Sequence, residues 1–202
     1  MSRIAVAIFS VVGVIALVVI VIAVSLVPLP VFEPLPAGTM TGSLAFVDED
    51  NCLNVADLDH ATVGDLRCEP EQTWIDVITW TTRGLEITTH GNQPITRVID
   101  PLTGEVLETR TGADIAEPPV DLIGLSVDRP DEGAITIYDE IGRVLLSLEG
   151  PDQYWIDSAI PHSGLVAITD SQGRLAVFDR DLLDPYLVAE KVRTWPYPVW
   201  EP

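Results

Sequence analysis

Positive charge is scarce in this chain. Lys and Arg together number 11 against 31 Asp and Glu, and Lys191 is the only lysine. Beyond residue 40 the balance is 30 acidic to 10 basic side chains, a net charge of −20. A surface of that sign cannot neutralise phosphates, so nucleic-acid binding is excluded and an anionic membrane surface is disfavoured. Histidine is also sparse. His60, His90 and His162 are the only three, and none stands in an H-x-x-H or H-E-x-x-H pattern. The serines lack a G-x-S-x-G elbow, since Gly124-Leu125-Ser126-Val127-Asp128 breaks it at the last position. No glycine loop that could cradle a phosphate is present. The two cysteines, Cys52 and Cys68, lack the C-x-x-C spacing of zinc ligands. The expectation is a non-enzyme with no catalytic residues, no metal ligands and no cofactor. Carboxylates are too plentiful for pairs to carry weight. Asp48-Glu49-Asp50-Asn51 reads as a solvated hairpin turn, with Ca²⁺ ligation as the alternative. Asp76 and Asp157 read as carboxylates that cap a turn or hydrogen-bond locally, with a catalytic pair as the alternative.

What the chain does have is one long apolar run. Residues 4–27 are twenty-four residues without a charge, rich in Val, Ile, Ala and Leu. As a helix the run would extend roughly 36 Å, enough to cross a hydrocarbon core of about 30 Å with some tilt. It exceeds the roughly 7–15-residue core of a cleaved signal peptide, although Ala23-Val24-Ser25 has the small-x-small pattern that cleavage uses. Arg3 is the only basic side chain before Arg67. The positive-inside rule therefore predicts residues 1–3 in the cytoplasm, a transmembrane helix over 4–27 and the rest outside the cell membrane. In that oxidising compartment an even cysteine count predicts a Cys52–Cys68 disulfide.

Residues 28–40 carry Pro28, Pro30, Pro34 and Pro36, with little Gly or Ser. Such a stretch favours polyproline II and predicts a semi-rigid spacer, or a strap lying on something through Val31, Phe32 and Leu35. From residue 41 to 192 short β-rich runs alternate with turn residues, and no long helical period appears. Strands are predicted over residues 43–47, 52–55, 74–80, 85–89, 94–99, 105–109, 122–127, 134–138, 143–148, 155–160, 165–169 and 174–178, with an edge strand at 186–189. Trp74-Ile75-Asp76 recurs as Trp155-Ile156-Asp157. Each is followed by a strand, a Gly-bearing turn (Arg83-Gly84, Ser163-Gly164), a second strand, and a third ending in Asp100 or Asp179. Residues 122–150 follow the scheme more loosely. Repeats of this size made of short strands suggest propeller blades.

Two units, Arg97-Val98-Ile99-Asp100-Pro101-Leu102-Thr103-Gly104-Glu105-Val106 and Leu175-Ala176-Val177-Phe178-Asp179, resemble the β-propeller repeats of WD40 and quinoprotein type. In that pattern a strand ends in Asp and a T-G-like turn leads into the next strand. The resemblance covers residues 42–190. It lacks the Trp that usually follows the T-G turn, and quinone binding does not carry over. It implies an all-β fold, a small or partial β-propeller-like domain of about four units, with a β-sandwich as the alternative. An open version leaves strand edges for a partner to cover.

Residues 193–202 close the chain. Trp195, Tyr197 and Trp200 alternate there with Pro196, Pro198 and Pro202. An extended aromatic strap of this kind suits docking into a partner's groove, or folding back to complete a blade. The combined expectation is a single-pass bacterial envelope protein with an extracytoplasmic β domain. Its predicted role is a non-catalytic accessory or assembly subunit of a larger respiratory, secretion or cell-wall complex, docking through Trp195, Tyr197 and Trp200. Two alternatives stand beside it. One is a stand-alone ligand-binding or sensing domain. The other is a hydrolase in which Asp76 and Asp157 converge to about 5–10 Å.

Overall fold

The computed structural model describes residues 29–70, 73–90, 94–111, 125–128, 134–148, 156–162 and 164–201, with backbone alone at 156–162. The apolar run at 4–27 lies outside them. Among the described residues no helix is long and apolar enough to cross a membrane. The strands are β1 (Glu33–Pro34), β2 (Ser43–Val47), β3 (Cys52–Asp57), β4 (Thr62–Cys68), β5 (Trp74–Thr81), β6 (Gly84–His90), β7 (Ile95–Ile99) and β8 (Val106–Thr111). They continue as β9 (Leu125–Asp128), β10 (Ile135–Asp139), β11 (Val144–Leu148), β12 (Ile156–His162), β13 (Leu165–Asp170), β14 (Leu175–Asp179), β15 (Pro185–Ala189) and β16 (Val199–Trp200).

Four sheets result. Sheet 1 is β16-β2-β3-β4, sheet 2 is β5-β6-β7-β8, sheet 3 is β9-β10-β11, and sheet 4 is β12-β13-β14-β15 with β1 added outside. Every pairing is antiparallel except β1 with β15. The protein is therefore all-β, with four small antiparallel sheets that resemble propeller blades, not the two layers of a sandwich.

A repeat of about forty residues generates them. Gly42, Gly84, Gly124 and Gly164 recur every 40–42 residues, each at the start of β2, β6, β9 or β13. Three of these glycines are described, with φ of 118°, 131° and 90° at Gly42, Gly84 and Gly164. At Gly84 a Cβ would lie 2.5 Å from the Ile99 carbonyl oxygen, so only glycine fits. Asp57, Asp100, Asp139 and Asp179 recur every 39–43 residues, closing β3, β7, β10 and β14. Each carboxylate accepts the backbone N–H two residues on, at 3.1, 2.9, 3.0 and 2.7 Å. That bond bends the chain locally, and a residue with positive φ (Ala61, Gly104, Gly142 or Leu183) completes each turn.

The core lies between sheets. Strand β2 is buried on both faces. Ala45 and Val47 pack with Ile75, Ile78, Leu85 and Ile87 of sheet 2. Leu44 and Phe46, pointing the other way, pack with Ala167, Leu175 and Val177 of sheet 4. Leu125, Ile135 and Ile137 join sheet 3 to Val166, Ile168 and Phe178 of sheet 4. The packing order is thus 2-1-4-3. Among the described residues, no buried cluster contains side chains of both sheets 2 and 3.

The two ends of the described chain interlock across the joint between sheets 4 and 1. Strand β1 adds to the last sheet, where the Leu35 N–H donates to the Leu187 carbonyl at 3.0 Å. Strand β16 adds to the first sheet, opposite Ala45 and Leu44. The proline-rich segment is accordingly a strap on sheet 4. Phe32 is buried and Leu35 partly buried, while Val31 remains 85% exposed.

The sequence does not predict strand β4, Thr-Val-Gly-Asp-Leu-Arg-Cys, because its side chains are mostly exposed and show no apolar period. It carries Cys68 directly opposite Cys52 of β3, and the two form the disulfide. Replacing both by Ser is expected to cost about 3 kcal/mol, the chain-entropy value for a loop of this length. A denaturant titration of the double variant measures it, and reduction of the parent should give the same loss.

Candidate docking end of the domain

The C-terminal segment meets two hairpins before it becomes β16. The Val192 N–H donates to the Gly173 carbonyl at 2.8 Å, in the turn between β13 and β14. The Glu49 N–H donates to the Lys191 carbonyl at 2.7 Å, in the turn between β2 and β3. The Arg193 N–H then reaches the Val47 carbonyl at 2.8 Å. The next paired residue of the tail is Val199, opposite Ala45. Strand β2 spends one residue, Phe46, between these two positions, whereas the tail spends residues 194–198. Five residues over that span must leave the sheet as a loop, which lies against the domain with Pro196 and Pro198 buried and Thr194, Trp195 and Tyr197 exposed. Its tip carries Trp195 and Tyr197, with ring centroids 4.9 Å apart at 76°. These rings are 50% and 44% exposed, whereas Trp200 is only 9% exposed and lies in the core between sheets 4 and 1. The structure therefore brings Trp195 and Tyr197 together at the surface and gives Trp200 to the joint between sheets 4 and 1.

Below the loop lies a polar hub that sequence reasoning missed. Asn51, buried and with φ of 63°, uses both ends of its amide. Its Nδ2 donates to the carbonyls of Glu69 (3.2 Å) and Thr73 (2.8 Å). Its Oδ1 accepts from the Ile75 N–H (3.1 Å) and from Arg193 Nη1 (3.0 Å). The same Arg193 guanidinium lies 4.7 Å above the Trp74 ring, a cation–π contact. Glu69 is buried and ion-paired with Arg67 at 2.7 Å and Arg97 at 3.1 Å. Arg97 Nη1 makes no aligned hydrogen bond, so the ion pair alone compensates its burial. The available signal was Asn51 at the last position of an acidic hairpin, where Asn tolerates left-handed backbone.

The other predicted candidates resolve into local roles. The register of β5 against β6 skips Asp76, and that of β12 against β13 skips Asp157, so both occupy bulges in equivalent strands of sheets 2 and 4. Asp76 Oδ2 lies 3.2 Å from His90 Nδ1. The Asp157 side chain and Trp155 lie outside the described residues. Asp48 accepts from the Cys52 N–H at 2.9 Å and from Asn54 Nδ2 at 3.0 Å, which makes its hairpin self-contained. Among the described residues no group of His, Cys, Asp and Glu could hold a metal ion. The β12 backbone carries His162.

Turn geometry also shifts titration. The His60 side chain bonds Asp57 and holds its carboxyl below the usual range. Asp100 is lowered by the N–H groups of Leu102 and Thr103. Asp139 is lowered by the Arg143 backbone and side chain. His60 is raised above 6.5 by Asp57. The aspartate contributions to stability are therefore complete above the ordinary value of 3.8 and disappear as pH falls below it through the lowered folded values. The His60 contribution has the opposite sign. It is complete below 6.5 and disappears as pH rises through the raised value. Carboxyl and imidazole titration by NMR should place the three aspartates below 3.8 and His60 above 6.5.

No family model and no curated protein matches the chain. Among solved structures it is similar to the Dos1 propeller (16% identity, 81% of this chain and 47% of that one, TM-score 0.30). It is also similar to a chain of the mitotic checkpoint complex (15%, 81% and 49%, TM-score 0.31) and to BamB from Moraxella catarrhalis (13%, 75% and 47%, TM-score 0.26). The chain spans about half the length of these proteins. Likenesses this distant carry no functional argument, and the sheets and their repeat stand on the chain's own geometry.

Proposed function

We propose that this protein is a membrane-held, non-catalytic accessory module whose propeller-like β domain binds a larger membrane or envelope assembly. The observation that carries the reading is the loop at residues 194–198. The pairing with β2 uses Val199 and Trp200 and has no need of a five-residue excursion. Yet the chain holds that excursion at both ends, buries Pro196 and Pro198 against the domain and leaves two aromatic rings half in solvent. Trp and Tyr on a stiff support are the residues that dominate binding surfaces, because they bury large area at small cost in ordering. The carboxylates most regularly placed in the chain are occupied as turn acceptors, which favours a scaffold over acid–base chemistry. The 4–27 run supplies the membrane attachment in this reading.

The test is native electrophoresis of membranes solubilised in mild detergent. The parent chain should migrate with a large assembly, and Trp195→Ala/Tyr197→Ala should migrate alone at unchanged thermal stability. A parent chain that migrates as a lone small species would sink the reading.

A further inference from the structure

What the aromatic loop touches follows from where the described chain begins. The first residues, Leu29 to Phe32, are fixed at the turn between β13 and β14. Arg174 Nη1 donates to the Pro30 carbonyl at 2.8 Å, and the Arg174 guanidinium lies 4.7 Å over the Phe32 ring. The residue before it, Gly173, is the one whose carbonyl receives the Val192 N–H, two residues ahead of the aromatic loop. The beginning of the described chain and the Trp195–Tyr197 tip therefore share one end of the domain. The apolar run stops at Val27, three residues before Pro30. Three residues span at most about 10 Å, even fully extended. A run that crosses a bilayer thus draws this end of sheets 4 and 1 down to the bilayer surface.

We infer that Trp195 and Tyr197 seat in the headgroup region of that bilayer, as a second attachment that fixes the orientation of the domain. The inference rests on the membrane-held reading above: the loop meets lipid, and its loss releases the chain from its assembly because the domain loses the orientation in which it binds. Two features fit that occupant. Trp and Tyr are the side chains enriched at the membrane–water interface. Leu29 and Val31, beside the point of attachment, are exposed apolar residues. Glu49 and Asp50 are exposed at the same end, which favours zwitterionic over anionic lipid.

The full chain is reconstituted into phosphatidylcholine vesicles carrying bromine on the acyl carbons nearest the headgroup, and tryptophan emission is compared with unbrominated vesicles. Residues 1–28 contain no tryptophan, so all five emitters belong to the β domain and its tail. The parent should lose more emission than Trp195→Phe, by roughly the share of one tryptophan in five, while Trp74→Phe, at the same end, keeps the full quenching. Equal quenching of parent and Trp195→Phe, with both incorporated, overturns the inference. If Trp195→Ala/Tyr197→Ala then still releases the chain from its assembly in the electrophoresis, the loop meets protein and the accessory reading survives. A chain that does not incorporate into the vesicles overturns both.

Discussion

Trp200→Ala is expected to lower the stability of the β domain by about 4 kcal/mol, the cost of truncating a large aromatic in a packed core. Trp200 sits in the cluster formed by Leu44, Phe46, Leu175 and Val177, at the joint between sheets 4 and 1. Its backbone also pairs with Leu44 of β2. The truncation therefore opens a cavity where the end of the chain closes the domain, and β16 is too short to hold by hydrogen bonds alone. Trp195→Ala, five residues earlier in the same tail, should stay within about 0.5 kcal/mol of the parent, as exposed substitutions do. Denaturant titrations of the two variants, followed by circular dichroism in the same detergent, measure the difference. Similar losses in both would mean that the loop is part of the closure. A small loss for Trp200→Ala would mean that β16 is dispensable.

That contrast marks what the sequence could disclose about the tail. Alternating aromatics and prolines predicted an extended strap; the structure has a loop over 194–198 and then the short strand β16. Composition alone could not divide its three aromatics between docking and core, because the division depends on which residues oppose β2. Val199 and Trp200 face Ala45 and Leu44, whereas residues 194–198 have nothing opposite them. The β-rich runs were legible for a different reason. Strands such as β13 and β14 are buried along nearly their whole length and read as unbroken apolar runs. Strand β4, Thr-Val-Gly-Asp-Leu-Arg-Cys, is an outer edge with mostly exposed side chains, so it carried no hydrophobic signal. Only the disulfide hinted that this segment lies beside β3. The forty-residue repeat was also in the sequence, but in Gly42, Gly84, Gly124, Gly164 and the four turn aspartates. The tryptophan echo showed two of the four units, because the first sheet borrows β16 as its edge strand from the far end of the chain. The hub at Asn51 was hidden because its partners are backbone groups some twenty residues on, around Glu69, Thr73 and Ile75, and the distant Arg193.

Asn51→Ala is expected to cost about as much as the loss of Trp200, through polar rather than apolar physics. The amide serves two carbonyls and two donors, and it links sheet 1, the start of β5 and the tail. Alanine leaves the Ile75 N–H without its acceptor in a buried site and releases Arg193 from one of its two holds, the other being the Trp74 ring. Each buried group left unsatisfied costs about 1–3 kcal/mol. The left-handed backbone at φ of 63° adds roughly 1 kcal/mol for a Cβ without a polar partner. A total of about 4 kcal/mol corresponds to a fall of about 10 °C in melting temperature for a domain of this size. Asn51→Gly separates the two contributions. It relieves the backbone but not the hydrogen bonds, so it should recover about 1 kcal/mol and no more. Asn51→Asp keeps the acceptor but turns a carboxylate toward the Glu69 and Thr73 carbonyls, and should be no better than alanine at neutral pH. If Asn51→Gly restored the parent's melting temperature, the turn conformation would be the whole role of this residue and the hub would contribute nothing. If the hub holds as described, Asn51→Ala should also loosen Arg193 and, with it, the flank of the loop that carries Trp195 and Tyr197. Faster amide exchange at residues 191–193 in Asn51→Ala than in a variant of an unrelated turn, such as Gly142→Ala, would show that coupling directly.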